Sequence, residues 1–307
     1  MRIGDFPENA YKRSVRKYLH PEGNAPIMVS GQAALHEEHM PAVLLQDLLN
    51  RIYAKHAVPA GIAVSLAIPV ETEEPYVSSV MRQLKETADA QGVLFTDASV
   101  KTCAELTFPI LQISAVGKRR RKDLRPVTKE ADILLTGHIA LAGTGILTAG
   151  KKEELGKRFS KPFLETAEAF LEQLSVQKAA KTAFENGAAY AVSLGEGGVF
   201  AGLWELSSKL KTGFGICLKA IPIRQETVEI SEFFRLNPYQ LLSTGSILIV
   251  TDNGQELKEV LNRKGIHAEL IGKLKDGNDK TIENDGEIRH LDLPAADELY
   301  KGIKERE

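Results

Sequence analysis

The hydrophobic positions along the chain keep switching between strand-like and helix-like spacing. Residues 25–34 (APIMVSGQAA) have the composition of a strand, with Gly31 marking a bend. In residues 41–56 (PAVLLQDLLNRIYAKH), Val43, Leu44, Asp47, Leu48, Arg51 and Ile52 recur at helical intervals, and Pro41 suits a first turn. The apolar run 60–70 predicts a strand. Residues 75–91 predict a second helix, closed by Gly92, and 93–95 and 107–116 predict two further strands. Before all of these, 10–20 reads as a short basic amphipathic helix. Elements of both kinds in this alternation describe an α+β domain.

A charged connector at 118–130 leads into ADILLTGHIALAGTGIL (131–147), whose glycines at 137, 143 and 145 punctuate apolar runs. Residues 148–183 predict helices, chiefly 163–176 and 176–184. Beyond them the alternation resumes. Strands are predicted at 188–193, 213–222, 246–251, 267–274, 280–283 and 288–291, and helices at 197–211, 226–234, 255–264 and 294–304. The spacing predicts an α/β (α+β) protein of two domains, 1–150 and 151–307. That agrees with the length of 307 residues, at roughly 100–200 residues per domain.

Hydrophobic residues make up 43% and charged residues 26% of the chain, enough apolar material for a core in each half, and the formal net charge is -2. No global basic field exists to attract nucleic acid or an anionic membrane. The one basic run, Lys118 to Lys122 with Arg125 after it, reads as a solvated connector or a phosphate contact. Cys103 and Cys217 stand far apart in apolar stretches, away from any metal-ligand spacing, and read as buried reduced thiols. The N-terminal residues lack the apolar core of a signal peptide, and no apolar window is long enough to span a bilayer, so a cytoplasmic location is expected.

The richest chemistry lies between 188 and 292. The order SLGEGGVFAGLWEL, LKAIPIRQETVEI, LNPYQLLSTGSILIV and GIHAELIGKL resembles the C-terminal domain of the aminoimidazole-ribonucleotide (AIR) synthase superfamily. That superfamily groups this enzyme with thiamine-monophosphate kinase, selenophosphate synthetase and HypE-type hydrogenase maturation factors, and the last are the nearest in wording. Ala220-Ile221-Pro222-Ile223-Arg224 is the strongest single match, followed by Leu236-Asn237-Pro238, Ser243-Thr244-Gly245 and Ile271-Gly272. The resemblance implies a PurM/HypE-like fold whose N-terminal domains pair across a homodimer into a shared β-barrel. It also implies phosphoryl transfer from ATP, with magnesium neutralising the transferred charge and a glycine-rich loop cradling phosphates.

Several positions depart from that pattern. Gly4-Asp5 is a stub of the family's early acidic run, and Ser30-Gly31-Gln32 stands where a Thr-Asp-Gly-like turn is expected. One carboxylate survives in Gln46-Asp47, and Asp97 in Thr96-Asp97-Ala98-Ser99 aligns loosely with a second. Asp47 and Asp97 are therefore the candidate magnesium ligands; the alternatives are a solvated helix face and a turn-forming aspartate. The family's Asp-Pro-Thr-Arg-Gly-Gly turn reads Ser193-Leu194-Gly195-Glu196-Gly197-Gly198, so Gly195, Gly197 and Gly198 are the candidate nucleotide-binding residues. Ala140-Leu141-Ala142-Gly143 replaces a Gly-Asp-His-Gly linker, and the chain ends Lys304-Glu305-Arg306-Glu307 where HypE-type proteins end in a carbamoyl-accepting cysteine.

Smaller signals have bland alternatives. His36 and His39 flank two glutamates at a spacing of three without an evident third ligand. His138 reads as structural or as lining the inter-domain cleft, and Trp204 as core or interface. Two readings of function stand. One is a diverged ATP- and magnesium-using enzyme with a small-molecule substrate in the inter-domain cleft. The other is a non-catalytic dimeric ligand-binding or regulatory protein that kept the fold.

Overall fold

The structure, a computed structural model, describes residues 13–15, 26–120 and 126–303. Gly4-Asp5, most of the expected helix over 10–20, residues 121–125 of the basic run and the last four residues lie outside them.

The first unit runs β1 (Ile27–Ala34), α1 (Met40–Ala54), β2 (Ala57–Ile68), α2 (Glu74–Ala90), β3 (Leu94–Thr102) and β4 (Ile110–Arg119). Its four strands lie in the order β1-β4-β2-β3; β2 and β3 are parallel across α2, and the other pairs are antiparallel. One face is apolar because alternate residues point inward. Val64, Leu66, Leu111, Ile113 and Ala115 bury against Leu45, Leu48, Leu49 and Ile52 of α1 and Val80, Leu84 and Ala88 of α2. Gly117 lets α1 approach β4, since a Cβ there would collide with Ile52. The opposite face carries Ser30, Gln32, Ala63, Ser65, Gln112 and Ser114 and is open.

The second unit runs β5 (Asp132–Thr136), α3 (Leu141–Gly150), α4 (Lys152–Leu155), α5 (Lys161–Glu168), a 3-10 turn (Ala169–Gln173), α6 (Gln177–Glu185), β6 (Tyr190–Ser193), α7 (Gly198–Leu210) and β7 (Gly213–Cys217). It continues through α8 (Gln225–Phe234), β8 (Ile247–Thr251), α9 (Gly254–Arg263), β9 (Ala268–Lys275), β10 (Lys280–Asn284), β11 (Glu287–His290) and α10 (Leu299–Ile303). Its seven strands lie in the order β11-β10-β7-β9-β5-β8-β6. The expected division near residue 150 moves forward accordingly: strands change sheet between Arg119 and Asp132, and 131–147 belongs to the second unit. That segment forms β5 and then α3, in which every residue from Leu141 to Thr148 is buried. A helix covered all round carries no amphipathic period, so its glycines read as linker.

Helix α1 ties the two units together. Asn50, fully buried, donates from Nδ2 to the Leu174 carbonyl at 2.7 Å and accepts from the Val176 N–H at 3.1 Å, while Gln46 Nε2 donates to its Oδ1 at 2.8 Å. One hydrophobic cluster runs from Leu48 and Leu49 through Val176, Ala180 and Phe184 to Ile247 and Ile249. Cys103 and Cys217 are unpaired and half-buried rather than buried. Among the described residues no helix is long and apolar enough to cross a membrane.

Candidate functional site

Strand β6 ends at Ser193, and the chain enters α7 through Leu194 to Gly198. Gly197 (φ +77°) and Gly198 (φ +65°) adopt the left-handed conformation that lets the chain turn sharply into the helix. A side chain at Gly198 would meet the backbone oxygen of Tyr239 at 2.5 Å, so the turn also packs tightly on the loop before β8. The Gly195 carbonyl accepts from the N–H groups of Gly198 (3.2 Å) and Ser243 (3.0 Å). Ser243 in turn accepts from the Ala140 N–H at 2.8 Å, so the start of α3 and the turn before α7 converge on one loop. The segment Ala140–Gly143 is packed under that loop, with the Gly143 N–H bonded to the Leu242 carbonyl at 2.9 Å.

The N–H groups at a helix N-terminus make an anion site, and here the chain supplies the anion. Asp297, just before α10, is 2% exposed. Its Oδ2 accepts from the Gly197 N–H at 2.5 Å, and its Oδ1 from the N–H groups of Leu242 (3.2 Å) and Leu299 (2.8 Å). Burial pushes its carboxyl up to about 6, outweighing those three N–H groups, and neighbouring Glu298 adds to the rise. The sequence signal for Asp297 is an aspartate two residues ahead of a short helix, an N-cap pattern; its partner Gly197 lies 100 residues away.

The surviving carboxylate Asp47 does reach this turn. A Cβ on Gly195 would lie 2.5 Å from Asp47 Oδ1, and Thr244 Oγ1 donates to the same oxygen at 3.4 Å. Asp97 does not join it. It sits in β3 opposite Ala63, in the row Ser30, Ser114, Ala63, Asp97 across the open face of the first sheet. Helix α1 packs on the other face, so the sheet stands between the two expected magnesium ligands within one chain. Among the described residues no three His, Cys, Asp or Glu side chains gather into a metal-binding group. That includes His36, which packs edge-on against Phe108, and Glu37, whose carboxyl is pushed up by burial.

Between the units lies a cleft of about 580 Å3, bounded by His39 just before α1, Val43 and Gln46 of α1, Gln91 after α2, and Glu168, Glu172 and Leu174 from the second unit. Its size suits a small molecule. His138 is not on this cleft. It stacks on His267 with centroids 4.7 Å apart, and its carbonyl accepts from Ser246 Oγ at 2.6 Å. Burial, then the nearby His267 and Arg224, bring its imidazole down to about 4. Trp204 is half-buried, donates from Nε1 to the Asp292 carbonyl at 2.7 Å and lies under the Lys280 ammonium at 4.6 Å.

Comparison with known proteins agrees with this architecture. The sequence profile of AIR synthase related proteins, C-terminal domain, matches residues 129–284. The phosphoribosylformylglycinamidine synthase subunit PurL of Methanothermobacter thermautotrophicus is 21% identical over 198 residues, covering 61% of this chain and 26% of that protein. The chain thus spans about a quarter of the length of that curated relative. HypE of E. coli superposes with a TM-score of 0.76 at 16% identity, over 92% of this chain and 89% of that one. Thiamine monophosphate kinase of Aquifex aeolicus superposes with a TM-score of 0.72 at 15% identity, over 94% of this chain and all of that one. At such identities the likeness speaks to the fold.

Proposed function

The chain belongs to the AIR synthase related proteins, and on that premise we propose that it is a dimeric ligand-binding or regulatory member that has kept the fold without magnesium-ATP phosphoryl transfer. The observation that carries this reading is the Asp297 carboxylate on the Gly197 N–H. A polyphosphate brought to this turn would meet Asp297 in the cradle, Asp47 beside Gly195 and Glu196 within the turn itself. Like charges at such range repel, and no metal group gathers among the described residues to neutralise them. The residues present do not fit magnesium-bound ATP, and no catalytic step is derived through it. The ligand reading rests on the inter-unit cleft, whose walls come from both units and from α1.

The homodimer in this proposal is supported by the open face of the first sheet. Small and polar residues fill its centre, and Met28, Val58 and Ile110 are exposed on its strands. A flat face of small side chains with apolar groups suits a second sheet packed against it.

A second reading, ATP-dependent phosphoryl transfer to a small molecule, is favoured by Asp47 at the glycine turn and by two neighbours of the same fold. One is a HypE in complex with ATP, the other a thiamine monophosphate kinase complexed with AMPPCP and TMP. Calorimetric titration with ATP, with and without magnesium, separates the two. The proposed function expects no magnesium-dependent binding and no nucleotide turnover. Magnesium-dependent binding that Asp47→Ala abolishes would sink it in favour of the enzyme.

A further inference from the structure

Gln46 and Asn50 stand one turn apart on α1, and the backbone of the second unit decides how both amides point. The Val176 N–H needs an oxygen and the Leu174 carbonyl needs a donor, so Asn50 turns Oδ1 to Val176 and Nδ2 to Leu174. Gln46 then faces an oxygen, Asn50 Oδ1, and meets it with Nε2 at 2.8 Å. The reverse orientation would set two oxygens against each other. This leaves the Gln46 Oε1. The residue is only 7% exposed, the oxygen has no hydrogen-bond partner among the described residues, and the side chain is part of the wall of the inter-unit cleft. The oxygen is not sealed off, and the surface that Gln46 keeps faces the cleft. An acceptor so deeply placed is satisfied by whatever enters the cavity.

The opposite wall is acidic. Glu165, Glu168 and Glu172 follow one another at helical spacing along α5 and the 3-10 turn, and all three line the cleft. Lys161 lies 3.6 Å from Glu165 and Lys152 2.5 Å from Glu168, whereas Glu172 has no ion pair among the described residues. The walls hold no Lys or Arg, and His39 is their one basic side chain. The other amide, Gln91, accepts from the Tyr53 and Ser175 hydroxyls at 3.1 Å each and keeps its N–H groups as a neutral donor. A carboxylate without a cation and an amide oxygen without a donor call for the same partner, a positively charged group bearing N–H. We propose that the inter-unit cleft takes a small organic amine in its ammonium form, with Gln46 Oε1 and Glu172 as acceptors and Val43, Leu171 and Leu174 against its hydrocarbon part. A bare metal ion would not fill about 580 Å3, and no metal-binding group gathers among the described residues. The inference rests on the cleft being a ligand site and adds the charge and donor character of the ligand.

Three probes of similar shape separate the classes: phenylethylamine, phenylethanol and phenylpropionate. Each is titrated into the full chain at about pH 7 and about 0.15 M salt, followed by NMR at the Gln46 side-chain amide and the backbone amides of Leu171 and Leu174. The amine is expected to shift these resonances saturably and at least about tenfold more tightly than the alcohol, since charge-assisted hydrogen bonds are roughly twice as strong as neutral ones. The propionate is expected to bind more weakly than the alcohol. Glu172 is exposed, so Glu172→Gln leaves the fold alone. It is expected to weaken the amine about threefold to fivefold without changing the alcohol, whereas Glu256→Gln on α9, outside the cleft, changes neither. An alcohol or a propionate that binds as tightly as the amine would overturn the inference and leave the cleft a ligand site. Equal losses in Glu172→Gln and Glu256→Gln would reveal general attraction to an acidic surface, and would overturn it as well. Silence from all three probes at millimolar concentration would overturn both the inference and the cleft reading beneath it.

Discussion

Asp47 of α1 and Gly195 of the turn before α7 come from different units, yet a methyl group on the glycine would sit 2.5 Å from the Asp47 Oδ1. The contact makes the glycine turn part of the boundary between the units. It also allows two glycines of one turn to be told apart by what each faces.

Gly195→Ala meets the end of a side chain that can rotate away, and its backbone is not left-handed. It is expected to cost less than about 1 kcal/mol while displacing Asp47. Gly198→Ala combines a φ of +65° with backbone oxygens of Tyr239 and Leu241 at 2.5 and 2.9 Å. Neither can yield, and a loss above roughly 2 kcal/mol is expected. Urea denaturation of both variants checks the order; equal costs would mean that the turn relaxes as a whole.

Asn50 is the buried polar link between units, bonded to Leu174 and Val176. Asn50→Ala leaves a buried carbonyl and a buried N–H without their partner, and a loss of about 2–4 kcal/mol is expected. Asn50→Asp keeps the acceptor for Val176 but turns the donor toward Leu174 into a charge, and is expected to be at least as damaging. Chemical denaturation of both variants checks this; a loss under about 1 kcal/mol for Asn50→Ala would show that water replaces the side chain.

Most strands and helices of both units were legible from periodicity; β5 and α3 were not, and the helix expected over 294–304 spans only Leu299–Ile303. The glycine turn was legible too, since neighbouring glycines before an apolar helix have a backbone reason. What surrounds the turn was not. Asp47 and Asp297 reach it from 148 residues before Gly195 and 100 residues after Gly197, and local patterns carry no sign of such pairing. Asp97 could be placed on a strand, but its side of the sheet depends on a bulge between Ile62 and Ala63 that sets the register with β2. The division between units was misplaced for a related reason: α3 is buried on every side and gives no period.

Two groups titrate with opposite consequences for stability. Asp297 has a folded value of about 6 against an ordinary 3.8, so the folded chain binds the extra proton. Its contribution is fully present below about pH 4 and is lost as pH rises through 6, worth at most about 3 kcal/mol. His138, at about 4 against an ordinary 6.5, does the reverse: its contribution is present above 6.5 and is lost as pH falls through 4. The two oppose each other between pH 4 and 6, so the melting temperature of the native chain hides both. The difference in stability between the native chain and Asp297→Asn is expected to grow in favour of the native chain from pH 7 to pH 4. A difference that stays flat would show that Asp297 titrates normally.

The His138 imidazole is expected to stay neutral from pH 8 down to about 5, because protonation would place charge in a half-buried site beside His267 and Arg224. Its ring carbon and proton shifts, followed by NMR, check this. A midpoint near 6.5 would mean that the stacked pair opens to solvent.

The open face of the first sheet supplies the test of the homodimer. At its centre Gln112 stands between Gln32 and Ser65, and Ser114 between Ser30 and Ala63. Their side chains face away from the core, so a large charged residue at either position leaves the fold alone. If a second copy covers this face, Ser114→Arg buries an unpaired charge in each half of the interface, and a pair of such charges costs several kcal/mol. Light scattering at micromolar concentration is expected to give a dimer mass for the native chain and a monomer mass for Ser114→Arg, with unchanged circular dichroism. A dimer that survives the arginine would place the contact elsewhere, and a native chain that is already monomeric would remove the homodimer from the proposed function.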